Sequence, residues 1–423
     1  MKSNTYTLES PQTGIAETSR WLDKLAKRLL IKKFAEIKYG RLTLLDGNQR
    51  EVFGQLNAQC DLDITLRVHD AQAYSDVAFG GTVGSGEAYM AGNWECDDLT
   101  GLVRLLLLNR EVLDGLDSGA GKLTLPLNKL FHWLHRNNLQ GSRRNIGAHY
   151  DLGNDMFEQF LDPTMMYSSG IFEHKDATMQ EASEAKLRRI CEKLQLTPQD
   201  HVVEIGTGWG GFAIYAAQHY GCKVTTTTIS REQYEFAQQR VTAAGLEDKI
   251  TLLLEDYRKL EGQYDKLVSI EMIEAVGHQW FDTYFKQCSQ LLKPNGMMLL
   301  QAITIADQRY KVAKREVDFI QRYIFPGGCL PSVTEIGKSI TKVTDMRVYH
   351  LEDIGPHYAT TLLKWRERFM ENWPQIRQLG YSETFKRMWE FYLCYCEGGF
   401  EERAIGTVQM TMIKPFCRRE AVV

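Results

Sequence analysis

The stretch Val203-Glu204-Ile205-Gly206-Thr207-Gly208-Trp209-Gly210-Gly211 constrains the fold of this chain more than any other. An apolar strand that runs into closely spaced glycines and then a helical pattern needs a tight turn, and glycine makes that turn without steric cost. The rhythm continues downstream, with strands over 202–205, 223–229, 250–255, 266–270 and 296–305 and helices over 210–219, 232–244 and 280–291. Such alternation predicts a doubly wound α/β domain with a mainly parallel sheet, and sheets of this kind bind ligands beyond the carboxyl ends of their strands.

Gly206, Gly208 and Gly211 satisfy the GxGxxG pattern of dinucleotide binding. A dinucleotide site also wants Asp or Glu about 20 residues further on to hold the ribose. Here that stretch is Thr225-Thr226-Thr227-Thr228. Glu204, two residues before the first glycine, can order the loop or meet an amino-acid ammonium group. The two details favour S-adenosylmethionine. A nicotinamide-dependent oxidoreductase and a tight turn with no nucleotide are the weaker readings.

Upstream, residues 35–100 alternate short β-like runs with the turn signals Asp46-Gly47 and Gly80-Gly81, then a helix starting at Gly84 and another over 99–108. These read as a small α+β domain. The expected organisation is an N-terminal segment over 1–34, the small domain over 35–121, a basic and apolar linker over 122–145, and the α/β domain over 146–423. Within the first segment, Trp21, Leu22, Leu25, Leu29 and Phe34 fall at helical spacing, flanked by Arg20, Lys24, Lys27, Arg28, Lys32 and Lys33. A helix of this type either lies in an anionic membrane surface or docks on its own domain.

Fifty basic against fifty-four acidic residues leave a net charge of −4, which excludes a polycation built for nucleic acid. The nine cysteines include no CxxC pair and no zinc spacing, so a reducing compartment and no structural metal are expected. No leader is expected at the N-terminus, and apolar runs fall short of the ~18–20 residues that a bilayer span needs.

The string 148–157, AHYDLGNDMF, continued by LDPTMMYSS over 161–169, resembles the cyclopropane-fatty-acyl-phospholipid synthase family, which includes the mycolic acid cyclopropane and methyl transferases. The likeness extends through 204–211, through TISREQ over 228–233 and through FPGGCLPS over 325–332, and it covers about 146–415. It implies a Rossmann-like class I methyltransferase domain behind a small N-terminal α+β domain. The implied reaction moves the methyl of S-adenosylmethionine to a cis double bond of a membrane phospholipid acyl chain. A proton then leaves the new methyl and a cyclopropane ring closes, with bicarbonate as the base.

Carried over residue by residue, Tyr167, Ser168, Gly206, Gly208 and Trp209 are implied at the methyl donor, beside the Glu204 already read from its place before the glycines, with Thr228 and Gln233 near its ribose, and Asp256 and Tyr257 near its adenine. The bicarbonate pocket corresponds to Ser169, Glu274, Gln301, Ile303 and Tyr358. Family members of the well-known type carry Cys where Ser169 stands, His where Gln301 stands, and His where Ala275 follows the pocket glutamate. Gln301 donates hydrogen bonds but cannot carry a positive charge, and the Ser169 hydroxyl replaces a thiol donor. Weaker or conditional bicarbonate binding is therefore expected.

An alkene is a weak nucleophile, so the site must align it and hold the resulting cation in a dry, electron-rich pocket. Glu274, Tyr167, Tyr358, Phe325 and Trp365 are the candidates, with Glu274 as the proton acceptor or the orienter of a bound anion. A branched methyl or methylene product is the alternative within the same chemistry, and a non-catalytic lipid-binding protein is the alternative outside it. A lipid substrate implies a cytoplasmic protein held peripherally at the inner face of a membrane. Pairing into a homodimer is consistent with the resemblance and leaves no mark in this sequence.

Overall fold

The computed structural model describes residues 13–110 and 153–418, with side chains from residue 21 onward. The expected linker over 122–145 and the motif residues 148–152 lie outside the described residues. The described chain forms two units, one comprising residues up to 110 together with 383–391, the other 153–382 and 392–418. The grouping of 383–391 with the N-terminal residues has no counterpart in the sequence reading.

The first unit holds a four-stranded sheet of β1 (Gly40–Asp46), β2 (Gln49–Gln55), β3 (Asp63–Val68) and β4 (Trp94–Cys96), in the order β2-β1-β3-β4. Helix Thr13–Phe34 buries Leu22, Ala26, Leu30 and Phe34, one side chain per turn, so its apolar face docks within its own unit. Trp21 stays 57% exposed, and Lys24, Arg28 and Lys32 face outward beside it. The helix expected to start at Gly84 instead spans Gln72–Ala91, bent at Gly81. Gly84 sits inside it because a Cβ there would lie 2.0 Å from the Asp76 carbonyl oxygen; the glycine marks a close approach of backbone, not a beginning. Residues 383–391 contribute Arg387, whose Nε donates to the Tyr89 carbonyl at 2.7 Å.

The second unit is built on β5 (His201–Ile205), β6 (Lys223–Thr228), β7 (Ile250–Leu254), β8 (Tyr264–Ile270), β9 (Leu292–Ile305), β10 (Arg347–Asp353) and β11 (Ile405–Ile413). Their order is β10-β11-β9-β8-β5-β6-β7. Strands β7, β6, β5, β8 and β9 run parallel, and β11 enters antiparallel between β9 and β10. This is the expected doubly wound fold, closed at one side by two late strands that the sequence reading had not assigned.

Successive residues of the central strands point to opposite faces, so both faces are apolar. Val202, Val224, Val268 and Leu299 pack with Leu187, Ile190 and Phe212 on one side. Val203, Leu267, Met298 and Leu300 pack with Phe281, Tyr284 and Phe285 on the other. Burying each such side chain contributes roughly 1.5–3 kcal/mol. The sheet is thereby a rigid base, and the chain reverses its winding between β5 and β8, which opens a crevice at their carboxyl ends.

Candidate active site

The loop leaving β5 carries the first group of expected residues. Gly206, Gly208 and Gly210 all have positive φ (103°, 52° and 84°), and a Cβ on Gly208 would meet nothing within 4 Å, so the loop presents bare backbone to the crevice. Glu204 is fully buried beneath it, and its Oε2 has no hydrogen-bond partner. Burial pushes its pKa up to about 8, against a hydrogen bond from Thr226 and the charge of Lys186. A buried carboxyl oxygen left without a donor, beside open glycine backbone, fits a ligand that brings a cationic group.

Thr228 and Gln233 meet at the end of β6, Thr228 Oγ1 donating to Gln233 Oε1 at 2.9 Å. Past β7, Asp256 is held by both Arg258 Nε and Nη2, at 2.9 and 2.5 Å, with its pKa lowered by that pairing. Tyr257 packs edge-on against Tyr284 at 5.6 Å. Trp209 is anchored by its indole N–H to Asn154 Oδ1 at 2.7 Å and by the Phe157 ring at 4.9 Å. The residues expected at the amino-acid, ribose and adenine ends of the donor thus stand at the carboxyl ends of three adjacent parallel strands.

Tyr167 and Ser168 approach from the segment after helix Asn154–Phe160. The Tyr167 hydroxyl lies 2.9 Å from that of Tyr392, and Ser168 Oγ accepts from Lys186 Nζ at 2.7 Å. Lys186 is wholly buried, which pulls its pKa down to about 8, while the charges of Glu271, Asp162 and Glu204 act to raise it. The Tyr167 ring sits 5.1 Å from Trp365 and 6.2 Å from Phe325, and Tyr358 stacks on Phe400 at 4.4 Å. Trp365 and Tyr358 are buried while Phe325 is 46% exposed, so the rings line a site that opens at Phe325, and electron-rich ring faces of this kind suit a transient cation.

The five residues expected to hold an anion divide into two sets. Ser169, Gln301 and Tyr358 converge on a residue that the sequence reading passed over, Glu271. Its Oε1 accepts from Ser169 N at 3.1 Å and from Gln301 Nε2 at 2.8 Å, and its Oε2 accepts from the Tyr358 hydroxyl at 2.7 Å. The Ser169 hydroxyl, expected as the donor, turns instead to the Gly170 carbonyl at 3.0 Å, and it is the backbone N–H of Ser169 that serves the carboxylate. Glu274 and Ile303 form the second set: Ile303 N donates to Glu274 Oε1 at 2.5 Å, and Glu274 Oε2 has no partner. Burial, and then the charge of Glu271, push the Glu274 pKa up to about 8, so its resting form at neutral pH is the acid.

Glu271 follows directly on β8 with φ +48°, a left-handed turn stabilised by its N–H donating to the Gln301 carbonyl at 2.8 Å. The local signal available in the sequence was an acid placed immediately after a buried strand, three residues before the motif glutamate, in Ile270-Glu271-Met272-Ile273-Glu274.

A family model described as mycolic acid cyclopropane synthetase matches residues 137–410. The cyclopropane-fatty-acyl-phospholipid synthase of Escherichia coli strain K12 is 41% identical over 359 residues, covering 83% of this chain and 87% of that protein. The tuberculostearic acid methyltransferase of Mycobacterium tuberculosis is 38% identical over 352 residues, covering 79% of each. Among solved structures, a mycolic acid cyclopropane synthase complexed with SAH and CTAB is 33% identical with a TM-score of 0.59, covering 64% of this chain and 98% of its own.

Proposed function

This chain belongs to the mycolic acid cyclopropane synthetase family and is an S-adenosylmethionine-dependent methyltransferase, and from that premise we propose that it converts the cis double bond of an unsaturated phospholipid acyl chain into a cyclopropane. The observation that carries the reading is the buried aromatic and carboxylate enclosure at the ends of β5 and β8, in a chain 41% identical to a phospholipid cyclopropane synthase.

S-adenosylmethionine supplies an electrophilic methyl on a positively charged sulfur. In our reading Glu204 and the glycine loop hold its amino-acid end, Thr228 and Gln233 its ribose, and Asp256 and Tyr257 its adenine. Tyr167, Tyr358 and Trp365 line the acyl chain and face the carbocation that forms on it, and Phe325, 46% exposed, stands where the chain itself must complete the exclusion of water. Water admitted at that stage would trap the cation as an alcohol.

Contact with a membrane surface is the finer part of the proposal. Among the described residues no helix is long and apolar enough to cross a bilayer. The exposed stripe Trp21, Lys24, Arg28 and Lys32 offers an aromatic tip and three cations to anionic headgroups. Homodimer formation stays an expectation of the resemblance.

The test is expression in a bacterial host that lacks cyclopropane lipids, followed by lipid mass spectrometry and proton NMR. Cyclopropyl hydrogens and a gain of one CH2 per modified chain are expected. A gain of CH2 with vinylidene hydrogens, or of CH4 overall relative to loss of the double bond, would replace the ring product by a branched one.

A further inference from the structure

Resting on the reading above, the position of one side chain leads beyond it. Ser169, Gln301 and Tyr358 are three of the five residues that the resemblance assigns to a bicarbonate pocket, and all three donate to the carboxylate of Glu271. The remaining two, Glu274 and Ile303, bond to each other. The donors that would recognise a small planar oxyanion are engaged by a carboxylate that is part of the chain. A bicarbonate added to this set would bring a further negative charge against a buried carboxylate in a region of low dielectric. The residues present do not fit it.

Of the three departures from the well-known family pattern, the one at Gln301 makes sense with this arrangement. A histidine at 301 can carry positive charge against a mobile anion, whereas Gln301 is a neutral donor suited to a carboxylate held in place by its own backbone. Gln301 is itself oriented from behind: its Oε1 accepts from Gln409 Nε2 at 3.0 Å, and Gln409 Oε1 accepts from Lys193 Nζ at 2.7 Å. Lys186, buried nearby, contributes the positive field.

We propose that the Glu271 carboxylate is the proton acceptor of the reaction, in the place of a bound bicarbonate, so that this enzyme turns over without added anion. The π pair of the alkene forms the bond to the incoming methyl, and the carbon–sulfur bonding pair stays with sulfur. A C–H bond of the new methyl then breaks. Its electron pair closes the ring on the cationic carbon, and the proton goes to Glu271, which passes it to water after product leaves. Burial raises the affinity of Glu271 for a proton, and its hydrogen bonds to Tyr358 and Gln301 hold that rise in check.

The experiment uses the full chain, S-adenosylmethionine and vesicles of a cis-monounsaturated phosphatidylglycerol, in buffer stripped of carbon dioxide under argon. Release of S-adenosylhomocysteine and lipid product are both read. Wild type is expected to run at the same rate with and without bicarbonate. Glu271→Gln and Glu271→Ala are expected to lose about 10²–10⁴-fold, and only the Ala variant, which opens a space among the three donors, should regain activity with bicarbonate or formate. A second arm needs no turnover: bicarbonate or formate should raise the melting temperature of Glu271→Ala and leave wild type unchanged. A wild-type rate that falls without bicarbonate and recovers saturably with it, a wild type stabilised by bicarbonate, or full activity in Glu271→Gln would each overturn the proposal. Absence of lipid product from every variant would overturn the phospholipid reading alone, and the melting arm would still decide this one.

Discussion

Gln409 and Gln301 face each other in register across β11 and β9, and Gln409 Nε2 donates to Gln301 Oε1 at 3.0 Å. That bond decides which end of the Gln301 side chain reaches Glu271: with Oε1 occupied, the NH2 group is presented to the carboxylate. Lys193 orders Gln409 in the same sense, so the donors run one way from a lysine to the reacting region.

Removing the relay should therefore slow the reaction without disturbing donor binding. Gln409→Leu is expected to lower kcat about tenfold, the worth of one hydrogen bond in such a chain, with the KM for S-adenosylmethionine nearly unchanged. Steady-state kinetics with vesicle substrate checks it; an unaltered kcat would show that Gln301 is oriented by other means.

Tyr358→Phe removes the donor to Glu271 Oε2 and with it a hydrogen bond that lowers the carboxyl pKa. Activity that needs the ionised carboxylate fails as pH falls through that pKa. In the variant the acid limb of the pH–rate profile should move to higher pH, with the rate on the plateau reduced as well. A profile that keeps its acid limb in place would detach Tyr358 from Glu271 ionisation.

Glu204 is protonated at neutral pH in the free protein, since burial raises its pKa to about 8. A cationic amine brought against its unpartnered Oε2 favours the carboxylate form. Binding of S-adenosylmethionine at pH 7 should release close to one proton, measured by calorimetry in buffers of different ionisation enthalpy. Glu204→Gln should abolish that release and weaken binding by about 10–100-fold.

Glu274 has a folded-state pKa near 8 against an ordinary value of 4.5. The native state then holds this proton more tightly than the unfolded chain does. Stability present at low pH is lost as pH rises from about 5 to about 8. Glu274→Gln keeps an acceptor for Ile303 N and cannot ionise, so urea midpoints at pH 5 and pH 8 should lie closer together than in wild type. An unchanged separation would show that Glu274 ionises freely.

Leu30 and Trp21 occupy opposite sides of helix Thr13–Phe34, 3% and 57% exposed. Leu30→Ala should cost about 2–5 kcal/mol in unfolding of the N-terminal unit. Trp21→Ala should leave stability almost unchanged and weaken binding to anionic vesicles, an effect that high salt should mask in part for the neighbouring cations. Vesicle binding indifferent to Trp21 would move the membrane contact elsewhere.

The parallel strands were readable because each is a short apolar run ended by a turn, and the glycine loop was readable because its backbone requires residues without a side chain. β10 and β11 were not. Arg347–Asp353 is largely polar on an edge. Ile405–Ile413 does alternate, Val408, Met410 and Met412 against Thr407, Gln409 and Thr411, but that pattern reads as a half-exposed strand, whereas both of its faces are buried. Motif likeness led to Ser169, Gln301 and Tyr358, and these do gather at one point. What they gather around was hidden: a lone acid after a strand is ordinary in sequence, and only the left-handed turn at Glu271 brings its carboxylate back among donors drawn from three distant segments. The amphipathic pattern of the first helix was correct in period but silent about which face is covered, since an apolar stripe suits lipid and protein equally.

β11 is the final strand in chain order, yet it lies inside the sheet, between β9 and β10. During synthesis the earlier strands can assemble their methyl-donor loop while the place beside β9 still waits for Ile405–Ile413. Gln301 gains its orientation only when that strand slides in, and an offset of one residue would turn Gln409 to the opposite face. The last strand to leave the ribosome thus sets the amide that faces Glu271, and a chain cut short before Ile405 would lack that hydrogen bond while keeping those from Ser169 and Tyr358.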